Sequence, residues 1–338
     1  MRVLIFGGNR FLGVELTASL LALGHEVTLF NRGTLEDPFG PLVQRLRGDR
    51  GTDALDQRLA DTRWDAVVDF ALFTATQAER TARVLSGRVG HYVMISTGQV
   101  YLVRDVVPVP AKETDFEGPL SPEPSEGPDR EDWRYGVDKR GAEAVIAGAF
   151  PSTVLRLPMV HGGRDFRRRL DSVLWRLLDG QPILLTRPDA LCRHVYGPAV
   201  TRALGAVLAR GPLNAAFNLA TPEGVSVEAF VQALAGTLGA RAQLLRVDEG
   251  QLAATGLEAR DCCPFNSRWM SALDANAAES AAILAHEPLA VWLPAAAQAA
   301  MARWTGPPPS LKQRPAELRF LTARLSASGG AKVLGEGS

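Results

Sequence analysis

Short apolar runs and stretches of helical period take turns along the first half of the chain. RVLIFGG is an unbroken apolar run stopped by glycine, as in a strand buried on both faces. RFLGVELTASLLALGH then sets Leu12, Leu16, Leu20 and Leu23 toward one side, which predicts a helix closed by Gly24. EVTLFNRG, WDAVVDFAL, GHYVMIST and STVLRLPMV read as further strands. ATQAERTARVLSG and YGVDKRGAEAVIAGAF read as helices between them. Strand and helix in alternation predict an α/β fold, a doubly wound parallel sheet with helices on both faces.

Residues 104–132 break the rhythm: they are rich in proline and acid, lack a period, and read as one long loop. Beyond residue 165 the alternation fades. Helices are expected in DFRRRLDSVLWRLLDG, YGPAVTRALGAVLARG, VSVEAFVQALAGTLG and AVWLPAAAQAAMARW, with AAFNLA as a strand. The expected division is a dinucleotide-type domain over 1–165 with a returning segment near 191–222, and a smaller C-terminal α/β substrate domain over 166–305. An extension over 306–338 follows, with one helix and a partly disordered tail.

Composition narrows the function. Lys+Arg and Asp+Glu both number 37, so no global charge favours nucleic acid or an anionic membrane. No apolar run approaches the roughly 18 residues that span a bilayer, and the five-residue N-terminal run does not read as a signal peptide. The three cysteines, Cys192, Cys262 and Cys263, form neither a disulfide framework nor a zinc motif, so no metal is expected and a cytoplasmic setting is the simplest.

FGGNRFLG, between the first strand and the first helix, is a candidate anion site. Backbone N–H groups at a helix N-terminus favour phosphate, and glycine allows the sharp turn and close approach. Gly7 and Gly8 suit the turn and Gly13 suits helix–strand packing. At the end of the second strand, where NAD-binding folds place an acid, the chain has Asn31 and Arg32. Arg32, with Arg10 on its other side, fits the extra phosphate of NADP, so NADP is expected over NAD. The plain alternative makes Arg10 a solvated surface residue. Asp49 follows the third strand and is placed near the adenine, or in an exposed turn; Ala71 follows WDAVVDF, where the cofactor crosses the strand ends.

MISTGQVY ends a strand with Thr97, and WRYGVDK sets Tyr135 and Lys139 four apart on one helix face. A phenol is a poor base at neutral pH, but an ammonium and an oxidised nicotinamide beside it lower its pKa. Tyr135 would then move the substrate proton, Thr97 would hold the substrate oxygen, and Lys139 would also bind the nicotinamide ribose.

With FGGNRFLG, FNRG, MISTGQVY, YGVDK, VLRLPMVHGG and FNLATPEGVS, residues 1 to about 300 resemble the extended short-chain dehydrogenase/reductases. The resemblance is to the NAD(P)-dependent epimerase/dehydratase branch, in the atypical subgroup that includes chloroplast stem-loop-binding proteins. It implies a Rossmann fold, Thr97, Tyr135 and Lys139 as the catalytic set, and Gly7, Gly8, Asn9, Arg10, Phe11, Leu12 and Gly13 at the pyrophosphate. It further implies Asn31 and Arg32 at the adenosine and Leu157 and Pro158 beside the nicotinamide. TQAERTARVL lacks the relay asparagine of many relatives, and His194-Val195-Tyr196-Gly197 lacks the acid of their HVxD.

On the substrate side, His161, Arg193 and His194 are candidates. Arg164, Trp133 and Tyr196 are alternatives, while Phe265, Trp269 and the adjacent cysteines read as packing. The expected activity is hydride transfer at a hydroxyl or carbonyl carbon of a nucleotide-sugar-like or small carbonyl substrate. A non-catalytic dinucleotide-binding scaffold or RNA-associated protein is one rival; a reductase of specialised metabolism, with 104–132 as a lid, is another. The expected partner is a small molecule rather than nucleic acid or membrane, and a homodimer is left open.

Overall fold

The computed structural model describes residues 1–59, 61–285 and 287–327. Seven parallel strands form the central sheet. In chain order they are β1 (Arg2–Phe6), β2 (Glu26–Asn31), β3 (Gln44–Arg47), β4 (Trp64–Asp69), β5 (Val89–Thr97), β6 (Ser152–Leu157) and a last strand, Ala215–Asn218. Their spatial order is β3-β2-β1-β4-β5-β6 followed by the last strand, so the order reverses between β1 and β4. A crevice opens at such a reversal, outside the carboxyl ends of the strands.

Burial on both faces explains the unbroken apolar runs. Val3 and Ile5 of β1 face α1 (Phe11–Ala22) and the helix Gly197–Arg210, while Leu4 and Phe6 join the opposite layer with α2 (Ala54–Leu59), α3 (Ala75–Leu85) and, after the single turn α4 (Gln99–Leu102), the long helix α5 (Gly127–Ala149). Gly24, at φ +76°, turns the chain after α1. Gly13 sits where α1 meets the β1 turn: a Cβ there would lie 2.6 Å from the Gly7 carbonyl oxygen and 2.8 Å from Gly8 Cα. A further core gathers beyond the sheet, where Leu170, Val173, Leu174, Phe230, Val231 and Trp292 pack around the parallel pair Ile183–Leu185 and Leu244–Arg246.

The reading of 104–132 as one loop needs correction at its end. Residues 127–132 are already helical, because Gly-Pro-Asp puts proline in the first turn and Asp129 beside the helix N-terminus, both of which start helices. The remainder is not a free lid. Phe116 is inserted between Arg140 and Arg156, 3.9 and 4.2 Å from their guanidinium carbons to its ring centre. The Asn218 amide N–H donates to Glu113 Oε1 at 2.7 Å, Ala111 pairs with Ala272, and Trp133 Nε1 donates to the Ser121 carbonyl at 3.1 Å.

The C-terminal helix Arg314–Ala327 is joined to the fold through charge. Arg176 and Glu317, both fully buried, form a fork with bonds of 3.1 and 2.5 Å, and Arg314 adds a third bond of 2.7 Å to Glu317. The expected tail beyond residue 327 lies outside the described residues. Because breaking one side of a buried ion pair strands the other charge, Glu317→Gln should cost about 3 kcal/mol of unfolding free energy. Arg176→Met combined with Glu317→Leu should recover most of that loss. Chemical denaturation midpoints check both, and an unchanged midpoint in Glu317→Gln would show the pair to be irrelevant to stability.

Candidate active site

The glycine turn lies at the sheet reversal. Gly7 has φ +84°, and a Cβ on it would meet Phe70 and Ala71 after β4 at 3.4 and 3.5 Å. A Cβ on Gly8 would come within 2.5 Å of Leu29. Packing forbids a side chain at Gly8, and the left-handed backbone disfavours one at Gly7. Arg10 is the N-cap of α1 and makes no side-chain cap, while Asn9 Nδ2 donates to the Leu35 carbonyl at 3.1 Å. The first N–H groups of α1, beginning with Phe11 and Leu12, therefore present an uncapped helix N-terminus beside a double-glycine turn, which fits a pyrophosphate.

The adenosine edge departs from the expected pair of arginines. The Arg10 guanidinium lies over the Phe166 ring at 5.1 Å, because the 162–167 loop docks on the turn and offers it an aromatic face. Phe11, at φ +40°, packs against Gly162 of the same loop. Arg32 is exposed at the end of β2. Asp49 is also exposed, and its carboxylate accepts from Gly51 N in a tight turn. Ala71 is placed at the glycine turn, held by its N–H to Asp69.

Thr97 and Tyr135 come together. Thr97 ends β5, and its hydroxyl accepts from Gln99 N at 3.2 Å and lies beside the Tyr135 phenol. Burial pushes the phenol above its ordinary value; Thr97 and the charges of Arg169 and Arg167 pull the other way, and Asp132 adds to the rise. Lys139, one turn along α5, donates instead to the Leu72 carbonyl at 2.8 Å and the Ile95 carbonyl at 2.6 Å. Burial brings its pKa down to about 8, against Asp69 and Glu143, which raise it. Phe73, not singled out in the sequence, bridges the two: its ring centre is 6.4 Å from that of Tyr135 and 5.7 Å from Lys139 Nζ. Leu157 is buried beside them, its carbonyl bonded by Gly98 N at 2.8 Å, and Pro158 follows.

Two substrate candidates require correction. His161 and His194 are buried, share an Nε2–Nδ1 hydrogen bond of 2.9 Å and stack on Phe230, with Phe265 and Trp292 around them. Neither ring faces solvent; an apolar enclosure holds both in the core. Arg193 donates to the Leu273 carbonyl at 2.8 Å. Of the alternatives, Trp133 anchors the 104–126 segment, Tyr196 stacks on Trp292, and Arg164 is exposed with its charge felt at Glu15.

A buried network beneath the crevice was also missed. Arg50 forms a fork with Asp69 at 2.9 and 2.8 Å, donates to Thr81 at 2.9 Å and lies 4.6 Å over Phe6, while the Tyr92 hydroxyl donates to Asp69 at 2.5 Å. An acid closing the apolar run AVVD, and an arginine just after β3, were its only signals.

No family model matches the chain. It is 28% identical over 182 residues to a 2'-dehydrokanamycin reductase of Streptomyces kanamyceticus, covering 54% of this chain and 46% of that protein. It is 31% identical over 123 residues to the chloroplast stem-loop binding protein of 41 kDa b of Arabidopsis thaliana, covering 32% of each. The matches thus span about half of the first relative and a third of the second. A solved UDP-glucose 4-epimerase from Thermus thermophilus, in complex with NAD, superposes with a TM-score of 0.67 over 90% of this chain and 100% of that one, at 17% identity. The chain shares the fold of that epimerase. In this fold, the glycine turn, Thr97 and Tyr135 all lie toward the carboxyl ends of the strands.

The buried imidazoles make the fold acid-sensitive. His194 is pushed down to about 3 and His91 to about 4, both by burial. An unfolded chain would take up protons near pH 6.5 that the folded rings refuse, so stability falls as pH drops from about 6.5 toward 4. Thermal midpoints measured between about pH 7 and about pH 5, above most carboxylate titration, should decline; a flat profile would contradict the burial argument.

Proposed function

We propose that the chain is an NAD(P)-dependent oxidoreductase of the epimerase/dehydratase type that transfers hydride at a hydroxyl or carbonyl carbon. The observation that carries this reading is Thr97 beside the Tyr135 phenol at the carboxyl end of β5, next to the strand reversal and the uncapped glycine turn. Residues 1–165 with the return over 191–222 form the dinucleotide-binding part, and 166–305 shape the substrate side. Gly7 to Gly13 hold the pyrophosphate, Asn31 and Arg32 meet the adenosine ribose, Asp49 lies toward the adenine, and Ala71, Leu157 and Pro158 line the nicotinamide end. Two Lys139 N–H groups bond carbonyls, leaving the third for a ribose hydroxyl. A nicotinamide dinucleotide supplies the hydride donor or acceptor when bound.

Tyr135 Oη moves the substrate proton and Thr97 Oγ1 holds the same substrate oxygen. A buried phenol whose pKa is raised is a proton donor at neutral pH, which favours carbonyl reduction. The match to a reductase acting on a dehydro-aminoglycoside supports that direction and a polyhydroxylated carbonyl substrate. The nucleotide-sugar alternative draws on the epimerase likeness. An RNA-binding role draws only on the second relative's name, and balanced charge weighs against it.

Tyr135→Phe should lower turnover about 10²- to 10⁴-fold while leaving dinucleotide affinity intact, as read by nucleotide fluorescence titration. Undiminished turnover would favour the scaffold. In the wild type, hydroxyl oxidation should accelerate as alkaline pH deprotonates the phenol, whereas carbonyl reduction stays level at neutral pH. Side-by-side titrations should give tighter NADP than NAD binding; the reverse would overturn the NADP preference.

A further inference from the structure

β3 runs parallel to β2 in a register that sets Arg47 opposite Asn31, so both side chains leave the sheet at its carboxyl edge, next to Arg32. The Asn31 side-chain oxygen accepts from Gly33 N at 2.9 Å and from the Arg47 guanidinium. Two donors on one end of the amide fix that end as oxygen. The other end, Nδ2, is out of solvent and has no partner among the described residues. Gly33, at φ +77°, makes room for this arrangement: a Cβ there would lie 3.0 Å from Arg47 Cδ and 3.2 Å from its Nε. Asp37, which feels the charge of Arg47, is committed to the Arg45 fork at 2.5 and 2.9 Å and to Phe39 N at 3.1 Å.

The adenosine edge therefore offers two arginine side chains as donors, Arg32 and Arg47, with the Asn31 oxygen turned to Gly33 and Arg47. A free ribose 2'-hydroxyl seeks an acceptor there, usually a carboxylate. A phosphate monoester presents only acceptors, and an arginine fork matches its geometry. With Arg10 drawn to Phe166, the second cation beside Arg32 comes from β3. We propose that Arg47, oriented by Asn31, is the specificity-determining residue that receives the 2'-phosphate of an adenine dinucleotide. This inference rests on the dinucleotide reading above.

Calorimetric titration with 5'-AMP and adenosine 2',5'-bisphosphate, which differ only in the 2'-phosphate, tests it without catalysis. The bisphosphate should bind the wild type roughly tenfold to a hundredfold tighter. Arg47→Met should remove most of that advantage and leave 5'-AMP affinity within about twofold; Arg47→Lys, which keeps the charge and loses the fork, should fall between. Asn31→Asp, which supplies the missing acceptor, should shift the preference toward 5'-AMP. Equal affinity for the two nucleotides, or equal loss of both in Arg47→Met, would overturn the assignment. So would displacement of the bisphosphate by equimolar inorganic phosphate, the mark of a free-phosphate site. Failure of both nucleotides to bind would instead bring down the dinucleotide reading beneath it.

Discussion

A single buried ammonium sets the geometry on which the site depends. Lys139 reaches from α5 to the carbonyls of Leu72 and Ile95, joining the helix to the loop after β4 and to β5 near its end. Burying a cation is costly unless its N–H groups are met, so these bonds strongly favour one rotation of the helix. In that rotation Tyr135, one turn earlier, faces Thr97, and Phe73 is held against the phenol and the lysine. The lysine that the resemblance assigns to chemistry is, in the structure, a clamp between helix and sheet.

Further ionic clusters brace the clamp from below. Arg50, Asp69 and Tyr92 bind the ends of β3 and β4 to β5 and α3. On the other side of Lys139, Glu143 holds Arg156 at 2.7 Å and accepts from Ser96, while Arg156 donates to the Tyr101 hydroxyl. Both carboxylates raise the Lys139 pKa and so favour its charged form within a dry interior. Because each cluster crosses several elements, their contributions are coupled rather than additive.

The fold was largely legible because its signals are local. Strand runs buried on both faces, helices closed by glycine and a glycine turn after β1 are set by neighbours in the chain. Thr97 and Tyr135 were also legible, since four-residue spacing fixes a helix face and a strand end fixes a position. What escaped depended on long-range partners. Arg10 was assigned to the adenosine, but an aromatic ring more than 150 positions away takes it. His161 and His194 looked like polar candidates until the apolar residues around them were known. The start of α5 was hidden because Gly-Pro-Asp carries loop composition and helix-start chemistry together.

The position of β3 has a consequence for solubility. It is the outermost strand at one side of the sheet, and its sequence is Gln-Arg-Leu-Arg. An open strand edge invites another chain to extend the sheet, and charged side chains along it discourage such stacking. Arg45 and Arg47 place two cations on that border. Neutralising them would remove a guard against self-association as well as a ligand contact, so a rise in aggregation and a change in nucleotide preference can share one origin.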